Sequence, residues 1–398
     1  MSAQRKNSGS GTPNSGSDTH SLATRKSTCC EYVSDPEFID PRLARLLNEF
    51  QRGIPLVREP YAAIARELST DEGWVRATLA RWQREGVVSR VGAVFRPGSI
   101  GVSTLAAMAV PREDLARVAA LVSARPEVNH NYEREHRFNL WFVAAAADTT
   151  TLGAALAAIQ REAGYAPIAL PLVADYWIDL GFDLSGTAAK CASRAPRRAR
   201  GAPPLTLSDV DRRLIAALDD GLPLVPAPYA AIADAAGVSE AYVQVRLADW
   251  LNRGVVKRLG VIVRHRQLGY VANAMCVWDV PDAADAGMAD ALGEALARES
   301  GVTLCYRRER SLPDWQYNFF CMLHGRDRAT VERRLAELAA THGLTRFPSA
   351  VLFSRRAFKQ CGARYGQGAR GAEFDRPRVA GDLAHEVSPV ESAAALGD

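Results

Sequence analysis

Lysine is nearly absent from this chain. Lys6, Lys26, Lys190, Lys257 and Lys359 stand alone, and arginine supplies the remaining positive charge. An arginine-favouring genome explains such a bias, but arginine also suits carboxylate binding, because its planar fork meets two oxygens at once. Excess charge is absent too. The 49 basic and 45 acidic residues leave a formal charge of +4, too balanced to argue for a nucleic-acid partner on its own. No apolar run approaches the roughly 20 residues that span a bilayer, which excludes a transmembrane helix. Met1 to Thr28 is rich in Ser, Gly, Asn and Thr and has no apolar stretch, so no signal peptide is read there and the cytoplasm is the expected location. The cysteines, at 29, 30, 191, 276, 305, 321 and 361, lack metal-type spacing and fit reduced thiols. Histidine is sparse, and so its placement is informative.

What is present is a duplication. Gly53-Ile-Pro55-Leu-Val57 matches Gly221-Leu-Pro223-Leu-Val225, and Pro60-Tyr61-Ala-Ala63-Ile64-Ala65 matches Pro228-Tyr229-Ala-Ala231-Ile232-Ala233. Trp82, Gly86, Arg90, Gly92 and Gly101 match Trp250, Gly254, Arg258, Gly260 and Gly269 at the same spacing. The spacing then widens, which places short insertions in the second copy. Two repeats of this length are a domain duplication rather than a solenoid.

Each copy predicts three short helices and a strand. In the first copy they are Arg42 to Phe50 with an apolar stripe, Tyr61 to Leu68, a third helix opened by a capping box at Ser69 to Glu72 and running to about Glu85, and a strand over Val87 to Arg96. That is a winged helix-turn-helix pattern. The rest reads strand (Thr104–Val110), helix (Arg112–Ser123), a hairpin (Val128–Tyr132 and Phe138–Ala145), helix (Thr150–Glu162) and strand (Ala169–Ile178), a ferredoxin-like order. The expected class is α+β, with two tandem copies of a winged helix-turn-helix plus a ferredoxin-like βαββαβ domain. The expected divisions are a disordered tail at 1–38, winged helix 39–102, ferredoxin-like domain 103–184, basic linker 185–206, winged helix 207–270, ferredoxin-like domain 271–365 and a disordered tail at 366–398.

Chemistry gathers in the first hairpin. His130, Tyr132, Arg134 and His136 share one face if the segment stays extended, whereas a turn at Glu133 to Arg137 would make His136 cap the hairpin. Asn139 and Trp141 stand beside them. The second copy pairs Tyr306 with Tyr132 and Arg308 with Arg134, but sets Leu304 opposite His130 and Arg310 opposite His136. Unequal copies suggest one working site. A metal site is not expected, because two histidines lack a third clear ligand. DNA binding is disfavoured as well. The candidate recognition helix Ser239 to Leu251 sets one arginine, Arg246, against two acids, Glu240 and Asp249; the first copy's helix, with Arg76, Arg81 and Arg84 against Glu72 and Glu85, is also mixed.

A winged helix followed by a ferredoxin-like domain resembles the Lrp/AsnC regulators. The stretch His-Asn-Tyr-Glu-Arg-Glu-His-Arg-Phe-Asn-Leu-Trp-Phe (130–142) more closely resembles the signature of a branch of them, the siroheme decarboxylases of haem d1 and alternative haem synthesis. Leu-Cys-Tyr-Arg-Arg (304–308), the run from Trp315 to Gly325, Gly-Tyr-Val-Ala-Asn-Ala-Met (269–275) and Ala357-Phe358-Lys359 extend the likeness over about residues 40 to 366, as in a fused two-subunit form. The resemblance implies loss of two acetate carboxyl groups from siroheme as carbon dioxide. It implies no separate cofactor, iron entering only within the substrate. Partners would be siroheme and either further copies or related decarboxylase subunits, with neither DNA nor membrane. His130 and His136 are then expected as proton donors, unless one of them ligates the siroheme iron. Tyr132 and Arg134 are expected to orient substrate carboxylates, with Arg307, Arg308 and Arg310 from the second copy and Arg90 and Arg258 from the wings as further candidates. The sequence departs from the family at Leu304, where a histidine beside Cys305 is expected, and this puts a second equivalent site in doubt.

Overall fold

Caps and prolines set the helix starts. The computed structural model describes residues 40–178, 205–264, 269–282 and 286–365; the expected tails, and residues 185–204 of the expected linker, lie outside them. The first copy contains α1 (Pro41–Glu49), α2 (Pro60–Glu67), α3 (Glu72–Arg84), β1 (Val88–Phe95), β2 (Val102–Met108), α4 (Leu115–Ala124), β3 (Val128–Arg134), β4 (Leu140–Ala146), α5 (Thr149–Ala163) and β5 (Ile168–Ile178). The second contains α6 (Asp209–Leu218), α7 (Pro228–Ala236), α8 (Glu240–Asn252), β6 (Val256–Val263), β7 (Ala272–Trp278), α9 (Ala286–Leu296), β8 (Val302–Arg308), β9 (Phe319–Gly325), α10 (Arg328–Thr341) and β10 (Ser349–Gln360). Pro41, Pro60 and Pro228 start helices where no amide donor is needed. The cap of α3 differs from the expected one. Asp71 accepts from the Trp74 amide at 2.8 Å, while Ser69 lies before it in a left-handed conformation, φ 53°.

The two winged helices share one core, in which Leu46, Leu79 and Val91 pack in the same cluster as Leu214, Leu247 and Trp250. Their wings pair antiparallel, with Gly92 opposite Gly260. The repeated Gly-x-Pro segments explain themselves here, because each crosses to the other copy. The Ile54 amide donates to the Leu259 carbonyl at 2.9 Å, and the Leu222 amide to that of Val91 at 2.7 Å. The Tyr61 hydroxyl reaches the Pro223 carbonyl at 3.1 Å, and the Tyr229 hydroxyl that of Pro55 at 3.0 Å. The motif occurs twice because each copy forms half of a reciprocal clasp.

The βαββαβ units go further than pairing: they close into one barrel. The early part of β5 pairs with β2 of its own copy through Thr104 to Ala107, and Leu172 to Ile178 pair with β8. The strand β10 behaves alike, pairing with β7 from Ser349 to Phe353 and with β3 from Ser354 to Gln360. The resulting eight-stranded order is β10-β3-β4-β2-β5-β8-β9-β7. Alternation along the strands sends Leu105, Trp141, Leu170, Met275, Phe320 and Met322 into a core shared by both copies, while the helices cover the outer faces over two further clusters. Asp175 on β5 ties barrel to wings through Arg96 at 2.8 Å and Lys257 at 4.0 Å.

The wing seam leaves no room for a side chain at its centre. A Cβ on Gly260 would overlap the Gln51 carbonyl. Gly260→Ala is expected to destabilise the fold by about 1–3 kcal/mol through overpacking, read as a lower midpoint in thermal or urea unfolding. Gly153→Ala, inside α5 with nothing within 4 Å of the new atom, is expected to raise the midpoint.

Candidate active site

At the barrel mouth, beneath the paired wings, lies a cavity enclosing about 1870 Å³ of non-atom space with its open side included. The strand period decides which residues reach it. On β3, His130, Tyr132 and Arg134 alternate inward, and on β8 the matched Leu304, Tyr306 and Arg308 do the same. The wings contribute Arg90, Lys257 and Arg258. One wall is the segment after β10. There the Cys361 amide donates to the Asn129 carbonyl at 2.9 Å, Arg364 pairs with Asp220 at 3.1 Å, and Tyr365 fills space that a side chain at Gly101 would take.

The cavity is cationic, with walls that are otherwise largely apolar. Arg90 donates through Nη2 to the Ala93 carbonyl at 3.1 Å, and Arg308 through Nη1 to that of Leu170 at 2.7 Å. Among the described residues neither forms an ion pair, and the Nε of each is buried without a partner. Burial pushes both guanidinium pKa values down. Buried cations left this way call for an anionic ligand. Arg134 is held more firmly: its Nη1 donates to Asn273 Oδ1 at 3.2 Å and to the Leu352 carbonyl at 3.1 Å, and its guanidinium lies 5.6 Å from the centre of the Tyr132 ring. Arg258 donates to the Gln51 carbonyl at 3.0 Å.

His130 stacks on Tyr132 at 6.2 Å, and its Nδ1 lies 2.9 Å from Asn129 Oδ1. An amide oxygen can only accept, so Nδ1 carries hydrogen and Nε2 is left for the cavity. Burial, and then the charge of Arg90, push the imidazole pKa down to about 4. The ring is therefore neutral at pH 7 in the substrate-free chain. A polycarboxylate that offsets Arg90 would raise that pKa.

Other expected site residues fall elsewhere. The chain leaves the strand after Arg134, so His136 sits in the hairpin turn and does not line the cavity; its Nδ1 accepts from the Phe138 amide at 3.0 Å and its ring meets Trp315 edge-on at 5.3 Å. Asn139 is structural, bracketing Val110 with bonds of 3.0 and 2.8 Å, as Asn318 brackets Val280. Trp141 does line the cavity, as part of its floor, with its indole N–H donating to the Phe138 carbonyl at 2.6 Å. Arg307 is turned outward by strand alternation, and Arg310, beyond the end of β8, pairs with Asp279 at 2.6 Å and with Asp282. His324 and Asn273 also line the cavity, and neither is among the site residues expected from the sequence. Their first-copy counterparts are Ala145 and Ser103, and the β7–β9 register sets the two side by side.

The titration of His130 is testable. In the substrate-free chain an NMR titration is expected to place it near 4, and Arg90→Gln to raise it. The unfolded chain takes this proton near the ordinary value of 6.5 while the folded chain refuses it until about 4. The stability that neutral His130 contributes is thus fully present above 6.5 and is lost as pH falls from there through 4. His130→Gln should flatten that part of the stability-versus-pH curve.

Comparison with known proteins agrees with this architecture. The AsnC-like ligand binding domain matches residues 99–176 and 267–359, and the siroheme decarboxylase NirDL-like HTH domain matches 44–88 and 211–256. The siroheme decarboxylase NirDL subunit of Paracoccus denitrificans is 46% identical over 324 residues, covering 80% of this chain and 95% of the relative. Two crystal structures are similar at 27% identity: siroheme decarboxylase NirDL, with a TM-score of 0.58 over 81% of this chain and 94% of that one, and the same enzyme in co-complex with an iron-uroporphyrin III analogue, with a TM-score of 0.57 over 82% and 94%. With both copies matched along nearly the whole length of the Paracoccus relative, the chain belongs to the siroheme decarboxylases, a family of carboxy-lyases, in their fused NirDL form.

Proposed function

We propose that the chain removes the carboxyl groups of two acetate side chains of siroheme, giving 12,18-didecarboxysiroheme and two molecules of carbon dioxide, as a step of haem d1 biosynthesis. The observation that carries this reading is the arginine-lined cavity whose wall bears His130, with Nδ1 held by Asn129 and Nε2 left for a ligand. Siroheme is a polycarboxylate. Arg90, Arg134, Arg258 and Arg308 hold the carboxylates that do not react, Tyr132 and Trp141 contact the macrocycle, and the substrate's negative charge raises the His130 pKa toward neutrality. His130 then delivers a proton through Nε2 to the pyrrole carbon next to the one bearing an acetate, which leaves the acetate-bearing carbon electron-poor. The carbon–carboxylate bond breaks, its electron pair enters the protonated ring, and carbon dioxide leaves. Proton transfer from the ring carbon to the exocyclic carbon leaves a methyl group, so each event consumes one proton and releases one carbon dioxide. The apolar part of the wall offers the leaving carboxylate no hydrogen bond that would stabilise it. His136, half-buried in the hairpin turn against Trp315, takes no part in this scheme.

A DNA-binding regulator is the competing reading, and the helices that would read DNA speak against it. Arg76 on α3 is engaged by Glu72 at 2.9 Å and by the Leu224 carbonyl at 3.4 Å, and Arg246 on α8 by Asp211 at 2.7 Å and Asp249 at 3.0 Å. Phosphate contacts would have to break these pairs first. No described helix is long and apolar enough to cross a membrane, and we place the reaction in the cytoplasm. The Paracoccus relative is named as a subunit, which supports assembly with related decarboxylase subunits or further copies of this chain.

Anaerobic incubation with siroheme, followed by mass spectrometry, is expected to show loss of two carboxyl groups. His130→Gln should lower turnover by about 10²–10⁴-fold, the usual contribution of a general acid, with siroheme still bound. His136→Gln should stay within a few-fold of the unmodified chain. Near-normal turnover of His130→Gln would overturn the acid assignment.

A further inference from the structure

His324 was not expected at the site, yet it lies on the inner face of β9 in the cavity wall. Both of its ring nitrogens are engaged. Nδ1 is 2.8 Å from Thr303 Oγ1, and Nε2 is 2.6 Å from Asn273 Nδ2. The Thr303 hydroxyl donates its hydrogen to the Met322 carbonyl at 3.2 Å. It must therefore accept from His324, which puts the imidazole hydrogen on Nδ1. Nε2 then accepts from the Asn273 amide nitrogen, and the Asn273 oxygen is left to accept from Arg134 Nη1 at 3.2 Å. The direction of every bond follows from the one before it: Arg134 to Asn273, Asn273 to His324, His324 to Thr303, Thr303 to the backbone.

We infer that Asn273 and His324 form a positioning relay that fixes the guanidinium of Arg134 for a substrate carboxylate, and that His324 is not a second proton donor. A proton on Nε2 would face the amide hydrogens of Asn273, and flipping that amide would turn its hydrogens on Arg134, so the neutral ring is the form that completes the chain. The relay is one-sided. On the matched strands of the first copy the corresponding positions are Ser103 and Ala145; Arg308, the counterpart of Arg134, donates to the Leu170 carbonyl as Arg134 does to that of Leu352. Both matched arginines are thus held by a backbone oxygen, and Arg134 gains in addition the bond to Asn273. The inference rests on the reading of Arg134 as a carboxylate-binding residue.

The test is a set of variants assayed for siroheme affinity by absorbance titration and for kcat under anaerobic conditions. Asn273→Ser and His324→Ala install the residues that the first copy itself carries on the matched strands, which favours a folded protein; His324→Gln, closer in volume, serves if the alanine variant does not fold. Each is expected to raise the siroheme Kd about tenfold, the scale of one lost charge-assisted hydrogen bond, with kcat changed less than threefold. In an Arg134→Ala background, itself weaker for siroheme, His324→Ala is expected to add nothing further. Full additivity in that background overturns the relay while leaving the role of Arg134 intact. Loss of turnover in His324→Ala with unchanged Kd makes His324 a proton donor and also overturns it. Normal siroheme affinity in Arg134→Ala overturns the carboxylate-binding reading of Arg134, and the relay with it.

Discussion

Backbone pairing across two seams, β5 with β8 and β10 with β3, is the constraint on which the site depends. Each βαββαβ sheet alone would end in unpaired strand edges, a hazard that proteins normally cover. Extending the last strand of each copy beyond its own sheet removes both edges at once and closes the barrel. Register follows from closure. A slip of one residue in β3 would turn His130, Tyr132 and Arg134 outward and aim Asn131 and Glu133 at the cavity. The irregular steps in β10 near Arg356 and in β5 near Ala174 lie on the seams, where each long strand passes from its own sheet to the other copy.

Much of this was legible in the sequence, and the reasons are local. Helical stripes, the Pro and Gly punctuation and the alternation around His130 act within a few residues, so the element order was readable. The repeated Gly-x-Pro-x-Val was visible as a pattern, but its meaning was not, since it consists of bonds to the other copy. Alternation placed Tyr132 and Arg134 correctly with His130. His136 lay beyond the last paired residue of β3, where the period no longer holds. The arginines after Arg308 show the same limit: Arg307 obeys the alternation that excludes it, and Arg310 meets Asp279 from a distant stretch of chain. That Asn273 and His324 are neighbours was not legible, because what sets them side by side is the register between two strands far apart in sequence.

The duplication therefore divides labour more finely than a count of histidines suggests. The first copy places an imidazole on the cavity wall where the second places Leu304. The second supplies Asn273 and His324, which hold an arginine of the first. Neither copy contains a complete set, and the residues that complete each other face across the same barrel mouth. The wings behave alike, since Arg90 and Arg258 come from opposite members of the β1–β6 pair and meet over one opening.

Carrying both half-barrels on one polypeptide has a consequence for assembly. Half-barrels made as separate molecules with similar edges can join like to like, which would give barrels with two His130 walls and no His324, or the reverse. Covalent tandem arrangement fixes the stoichiometry at one of each. It also makes the pairing of the two halves intramolecular, at an effective concentration that free subunits at cellular levels do not reach. Heterotypic closure then outruns homotypic pairing, and every folded molecule carries the same unequal pair of walls.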